Sequence, residues 1–215
     1  MKRYLTDQEQ LHLLQAARCT ACPLAQRDYW WMRLLIETGA RVDEFARISA
    51  VQAEAALASG WLVVKAEQRK GGKRGHEYLV THSVRECLQA LLAAQRTVPV
   101  PTDLEGPAPL IWGRDGARFS VRSYQARLAH WAQAAGLGLK VSPHWMRHTR
   151  GVNIIRRSGS ANPLKVVQQA LGHASISSSG IYTQMLREDY VRDLHRVDTA
   201  RMSKRAAVAA AGAAS

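Results

Sequence analysis

Arg41, His144, Arg147, His173 and Tyr182 follow one another along the chain, within Thr38-Gly39-Ala40-Arg41-Val42-Asp43-Glu44, His144-Trp145-Met146-Arg147 and Leu171-Gly172-His173, with Tyr182 nine residues after His173. Together these side chains can attack a phosphodiester. A tyrosine oxygen becomes a nucleophile once a base or a strong positive field compensates for its pKa of about 10. Arginine forks match paired phosphate oxygens and stay charged at any relevant pH, which lysine does less well. The three-residue spacing of His144 and Arg147 puts both on one face of a helix. Pro143 fits the first turn of that helix, whose N-terminus favours phosphate through free amides and the macrodipole. Glu44, three residues beyond Arg41, is placed to buttress an arginine or an imidazole.

Bulk properties point the same way. A formal net charge of +13 implies a polyanionic partner, because phosphate neutralisation by Lys and Arg releases condensed counterions. Nucleic acid is the first expectation. A chain of 215 residues suits one filled core rather than two. No 18-residue apolar run and no apolar block behind Met1-Lys2-Arg3-Tyr4 are present, so a cytoplasmic protein is expected. Three cysteines make no disulfide framework, and Cys19 and Cys22 form a lone CxxC without a second pair to complete a zinc site.

The elements that must position these groups are mostly helical. Thr6-Asp7-Gln8-Glu9 predicts a capping box opening a helix to Ala17. Pro23 suits the first turn of a second helix, Leu24 to Glu37, stopped by Gly39. A short third helix begins near Val42 and carries Glu44, Phe45 and Ile48. Trp61 to Val64 and His76 to Val80 are β-rich around the turn-forming Arg69-Lys70-Gly71-Gly72-Lys73-Arg74-Gly75, a hairpin with a basic tip. Ser83-Val84-Arg85-Glu86 predicts a capped helix to Gln95, and Pro99, Pro101, Pro107 and Pro109 an exposed loop. Helices follow over Ser120 to Ala135, Pro143 to Arg157, Pro163 to Leu171, Ser177 to Met185 and Arg187 to Ala200. The fold class is therefore α+β, mainly α-helical with a small antiparallel β-hairpin. One domain is expected over 1–200, with an alanine-rich, disordered tail over 201–215.

The combined order and spacing resemble the catalytic domain of the tyrosine recombinase (phage integrase) family, structurally akin to type IB topoisomerases. Thr38-Gly39-x-Arg41-x-x-Glu44 is similar to the family's first arginine box, Lys70-Gly71-Gly72-Lys73 to its hairpin lysine, His144-x-x-Arg147-His148-Thr149 to its second box, and Leu171-Gly172-His173 with Tyr182 to its last. The resemblance implies that Tyr182 attacks the scissile phosphate to give a 3′-phosphotyrosyl link and a free 5′-hydroxyl. It further implies that Arg41, Arg147 and His173 stabilise the transition state, that Lys70 protonates the departing 5′-oxygen, and that His144 assists proton transfer at the tyrosine. Lys73 rivals Lys70 for the acid role. No cofactor is implied, neither metal nor ATP, because the covalent link conserves the energy of the broken bond. Double-stranded DNA is the implied partner, engaged by a homo-tetramer; the helix after Tyr182 either packs on its own domain or, as the resemblance allows, docks on a neighbouring protomer.

The sequence also departs from the family. Arg150-Gly151-Val152-Asn153 replaces a more apolar or Thr/His-containing stretch, Gly180 stands near the nucleophile in sequence where a bulkier residue is usual, and the segment around Ser160 to Asn162 is a few residues longer than usual. Members commonly carry an N-terminal core-binding domain of roughly a hundred residues. Arg41 comes too early for one, as in a compact member resembling the fimbrial-switch invertases or in a fragment. Arg69, Lys73, Arg74, Arg150, Arg156 and Arg157 are further candidates for DNA contact, positioning the duplex without specifying its sequence. His148, His76, His82 and His130 are expected to be structural. Trp30, Trp31, Trp61 and Trp131 are expected in the core and Trp112 at the surface. A silent DNA-binding regulator and a relaxing topoisomerase are the rival functions.

Overall fold

The computed structural model describes residues 4–69, 74–97, 106–113, 118–138, 140–173 and 194–195. The helix expected from Ser177, the helix expected from Arg187 apart from Leu194 and His195, the tail, and Lys70, Lys73 and Tyr182 lie outside these residues.

Helix α1 (Asp7–Arg18) opens on the expected capping box: the Thr6 hydroxyl accepts from Glu9 N at 3.3 Å, and the Glu9 carboxylate accepts from Thr6 N at 2.7 Å. Helix α2 (Pro23–Thr38) is the central element. Trp31, Met32, Leu34 and Leu35 are fully buried, and the helix packs against α1, α5 (His82–Arg96) and α7 (Pro143–Arg157). Gly39 ends it at φ 65°, the left-handed conformation that glycine adopts without a Cβ penalty.

Helix α3 (Val42–Phe45) is a single turn, so Ile48 lies beyond it rather than on it. Helix α4 (Ala50–Ser59), capped by Ser49 and Gln52, leads through Gly60 into strand β1 (Trp61–Val64). Strand β2 (His76–Leu79) pairs antiparallel with β1 in the register Trp61↔Leu79, Leu62↔Tyr78, Val63↔Glu77 and Val64↔His76. Because side chains alternate across a strand, Leu62, Val64 and Tyr78 enter the core while Trp61, Val63 and Leu79 face solvent. This corrects the expectation for Trp61, which is 46% exposed.

Helix α5 starts two residues earlier than its sequence suggested. Thr81, extended at the end of the hairpin, accepts from Val84 N and takes the cap position from Ser83. Trp112 is also corrected: it is 2% exposed, and its carbonyl accepts from Arg27 at 2.7 Å. Helix α6 (Val121–Ala134) is tied to α2 by Asp28, a fully buried carboxylate. Its two oxygens accept from the indoles of Trp31 and Trp131 at 2.8 and 2.9 Å and from Arg27 and Arg127 at 2.7 and 2.6 Å. A buried charge is stable only when so completely satisfied.

Helix α8 (Pro163–Leu171) packs on α7 through a small cluster of its own, Val167 and Leu171 against Val152, Ile154 and Ile155. Gly172 ends α8 at φ 62° and turns the chain into His173.

Candidate active site

Two chain turns converge on Arg147. Its side chain projects from α7 and is nearly buried, with Nη1 donating to the Gly39 carbonyl at 2.7 Å and Nη2 to the Leu171 carbonyl at 2.7 Å. One guanidinium thus fastens the loop that carries Arg41 to the turn that carries His173. The loop also needs glycine: a Cβ on Gly39 would run into Leu171 Cδ2 and lie 3.1 Å from Arg150 Cβ. Gly39→Ala is therefore expected to lower stability by about 1–3 kcal/mol through overpacking and a positive φ. Chemical denaturation of both proteins measures this.

Arg41 stands at the N-cap of α3, its side chain 39% exposed, and donates from Nη1 to Glu44 Oε1 at 2.8 Å. Glu44 is fully buried and forms a hub. Oε1 also accepts from Arg69 Nε at 3.1 Å, and Oε2 from the Tyr78 hydroxyl at 3.1 Å. Burial works to raise the Glu44 carboxyl, but hydrogen bonds and charges from Arg41 and Arg69 outweigh it and hold the group below the usual carboxylate range. A depressed folded-state pKa contributes stability that is complete above the unfolded value and is lost as pH falls through the folded one. Glu44→Ala should cost about 3 kcal/mol near neutrality, because it leaves two guanidinium groups without their acceptor. Denaturation at a series of acid pH values should show the difference between variant and parent shrinking.

His173 follows Gly172 and is half-buried. Burial, then the charges of Arg147 and Arg41, push its imidazole down to about 4, so it is neutral at physiological pH. A neutral imidazole can donate a hydrogen bond to a phosphate oxygen without adding a third charge. His144 is exposed on the first turn of α7, its ring 4.3 Å from that of His148 in an edge-on arrangement.

The structure brings Arg41, Arg147 and His173 together and sets Glu44 behind them. The cations expected at DNA separate into two groups. Arg74, Arg156 and Arg157 are exposed, Arg156 near the Tyr4 ring and Arg157 paired with Asp7 at 2.7 Å. Arg69 and Arg150 depart from the expectation of an outward phosphate contact. Arg69 is turned inward to Glu44, and Arg150 pairs with Glu37 at 3.3 Å while its stem lies beneath Gly39. His76 and Tyr78, neither expected near the chemistry, face the site from β2. Their two-residue spacing on a strand was the available signal, since it places both on the face opposite Glu77.

A helical domain whose two arginine boxes and histidine meet in one cluster matches the Phage integrase family over residues 3–188. The chain belongs to this family. It is 37% identical over 163 residues to Tyrosine recombinase XerC of Neisseria meningitidis serogroup B (strain ATCC BAA-335 / MC58), covering 76% of this chain and 49% of that protein. Tyrosine recombinase XerC of Shewanella sp. (strain W3-18-1) is 31% identical over 166 residues, with 76% and 49% covered. The chain thus spans about half the length of these curated relatives. Among solved structures, XerA recombinase superposes with a TM-score of 0.73 at 24% identity, over 92% of this chain and 66% of that one. XerH site-specific recombinase bound to its difH substrate gives 0.64 at 23% identity, over 87% and 52%. These likenesses establish the fold. No helix among the described residues is long and apolar enough to cross a membrane.

Proposed function

We propose that this chain is the catalytic part of a site-specific DNA recombinase, which cleaves and rejoins duplex DNA through a 3′-phosphotyrosyl bond to Tyr182. The observation that carries the reading is the convergence of Arg41, Arg147 and His173, with Tyr182 following His173 at the spacing of the family's last box. The Tyr182 oxygen bonds to phosphorus, the bond to the 5′-oxygen breaks, and that oxygen takes a proton from Lys70, with Lys73 the rival donor. The reverse attack by a 5′-hydroxyl reseals a strand.

The non-bridging oxygens gain negative charge in this step, and the two guanidinium groups and the His173 N–H are suited to neutralise it. His144, exposed on α7, is suited to take the tyrosine proton. Arg74, Arg156 and Arg157 contact phosphates along the duplex. The active assembly is a tetramer on DNA, with the segment after Tyr182 docking on the next protomer and strands exchanged pairwise through a Holliday junction. A solved lambda integrase tetramer bound to a Holliday junction, with a TM-score of 0.62, supports this assembly by analogy.

A nicked duplex that loses its short 3′ fragment after cleavage prevents resealing and tests the reading. The expected result is a protein–DNA adduct stable to boiling in detergent. DNA binding without any adduct would favour a silent regulator instead.

A further inference from the structure

We infer that Arg69 and His76 are positioning residues of the cleavage site, clasping the hairpin limb that runs into Lys70 to the turn that carries His173. The inference rests on the DNA-cleaving reading above. These residues flank positions 70–73 in the sequence, Arg69 from before them and His76 from after them.

Arg69 is 12% exposed at its side chain, too enclosed for an outward phosphate contact, and its donors fan out to three elements. Nη1 reaches the carbonyls of Arg74 and Gly75 at 3.1 and 3.2 Å, at the start of the limb that leads into β2. Nε reaches Glu44, the carboxylate that also holds Arg41, and Nη2 reaches the Gly172 carbonyl at 3.3 Å. Lysine, with one nitrogen, cannot make this set.

His76 completes the clasp from the opposite strand. Its Nε2 lies 3.2 Å from the Ala170 carbonyl, and because a carbonyl only accepts, the imidazole carries a proton there. Burial lowers its pKa, which keeps the ring neutral. The ring packs against Gly172 so closely that a Cβ there would fall 2.7 Å from Nδ1. The end of α8 is thus seated on the hairpin stem by two side chains.

A general acid works only within hydrogen-bond reach of the oxygen it protonates, and a displacement of about 1 Å can cost on the order of 10²-fold in rate. Loosening the clasp should therefore be felt first at the step that Lys70 serves. A sulfur in place of the 5′-bridging oxygen leaves without a proton, so it separates this effect from general damage.

The experiment compares single-turnover cleavage of ordinary and 5′-sulfur nicked duplexes. Arg69→Ala and His76→Ala should each slow the ordinary duplex about tenfold or more beyond any slowing of the sulfur duplex, the excess that loss of acid catalysis requires. Arg69→Lys should share the defect even if the alanine variant folds poorly, and His76→Gln, which keeps a donor for Ala170, should recover. The double variant should be no slower than the slower single one, since both act in one clasp. Equal slowing of both duplexes, or of neither, would overturn the inference. Failure of the parent chain to cleave either duplex would instead count against the proposed function.

Discussion

Tyr182→Phe is expected to bind DNA as the parent does and to form no covalent adduct at all. The substitution removes one oxygen and leaves the ring, so shape and apolar contact survive while the nucleophile is gone. The chain's +13 charge, which drives binding through counterion release, is untouched. Gel-shift titration and adduct trapping on the same nicked duplex should therefore separate completely. An adduct at parental levels would mean that another residue attacks the phosphate.

Arg147→Ala should have the second largest effect, and it should act twice. Loss of a preorganised charge aimed at the transition state costs about 10²–10³ in rate where such donors have been removed. The same side chain also satisfies two carbonyls, on Gly39 and Leu171, so its removal orphans both in a buried setting. Unsatisfied buried carbonyls cost about 1–3 kcal/mol each. The variant should therefore be both slow and unstable, with a Tm several degrees below the parent. Arg147→Lys should recover part of the charge but not the two-armed fork, and remain well below the parent rate. A variant that is unstable yet cleaves normally at low temperature would confine Arg147 to a structural role.

The double duty of Arg147 explains what could and could not be learned from sequence. The boxes around Arg41, His144, Arg147 and His173 were legible because functional side chains at helix starts and ends come with their own punctuation: Gly39, Pro143 and Gly172. The same local signals located α1, α2, α6, α7 and α8 to within a few residues. The inward arginines were not legible. Arg69 stands in a run of basic residues that ordinarily means solvent, and the partners that turn it inward, Glu44 and the Gly172 carbonyl, lie 25 and 103 residues away.

Long-range partners hid the remaining features as well. Asp28 lies in the middle of α2, and its acceptors are claimed by Trp131 and Arg127 a hundred residues on, a pairing no local pattern carries. Helix α4 escaped because alanine gives little contrast between its faces, so the apolar period that marks α5 is weak there. Trp61 and Trp112 were assigned opposite environments from those observed. The hairpin register sends Trp61 outward, and Trp112, whose carbonyl accepts from Arg27, is buried.

The most direct test of the account is to trap the covalent adduct on a nicked duplex, digest the protein, and identify the peptide that retains DNA. The account predicts one modified peptide, with Tyr182 joined to a 3′-phosphate and a free 5′-hydroxyl on the released strand. A link through any other residue, or to a 5′-phosphate, would contradict it.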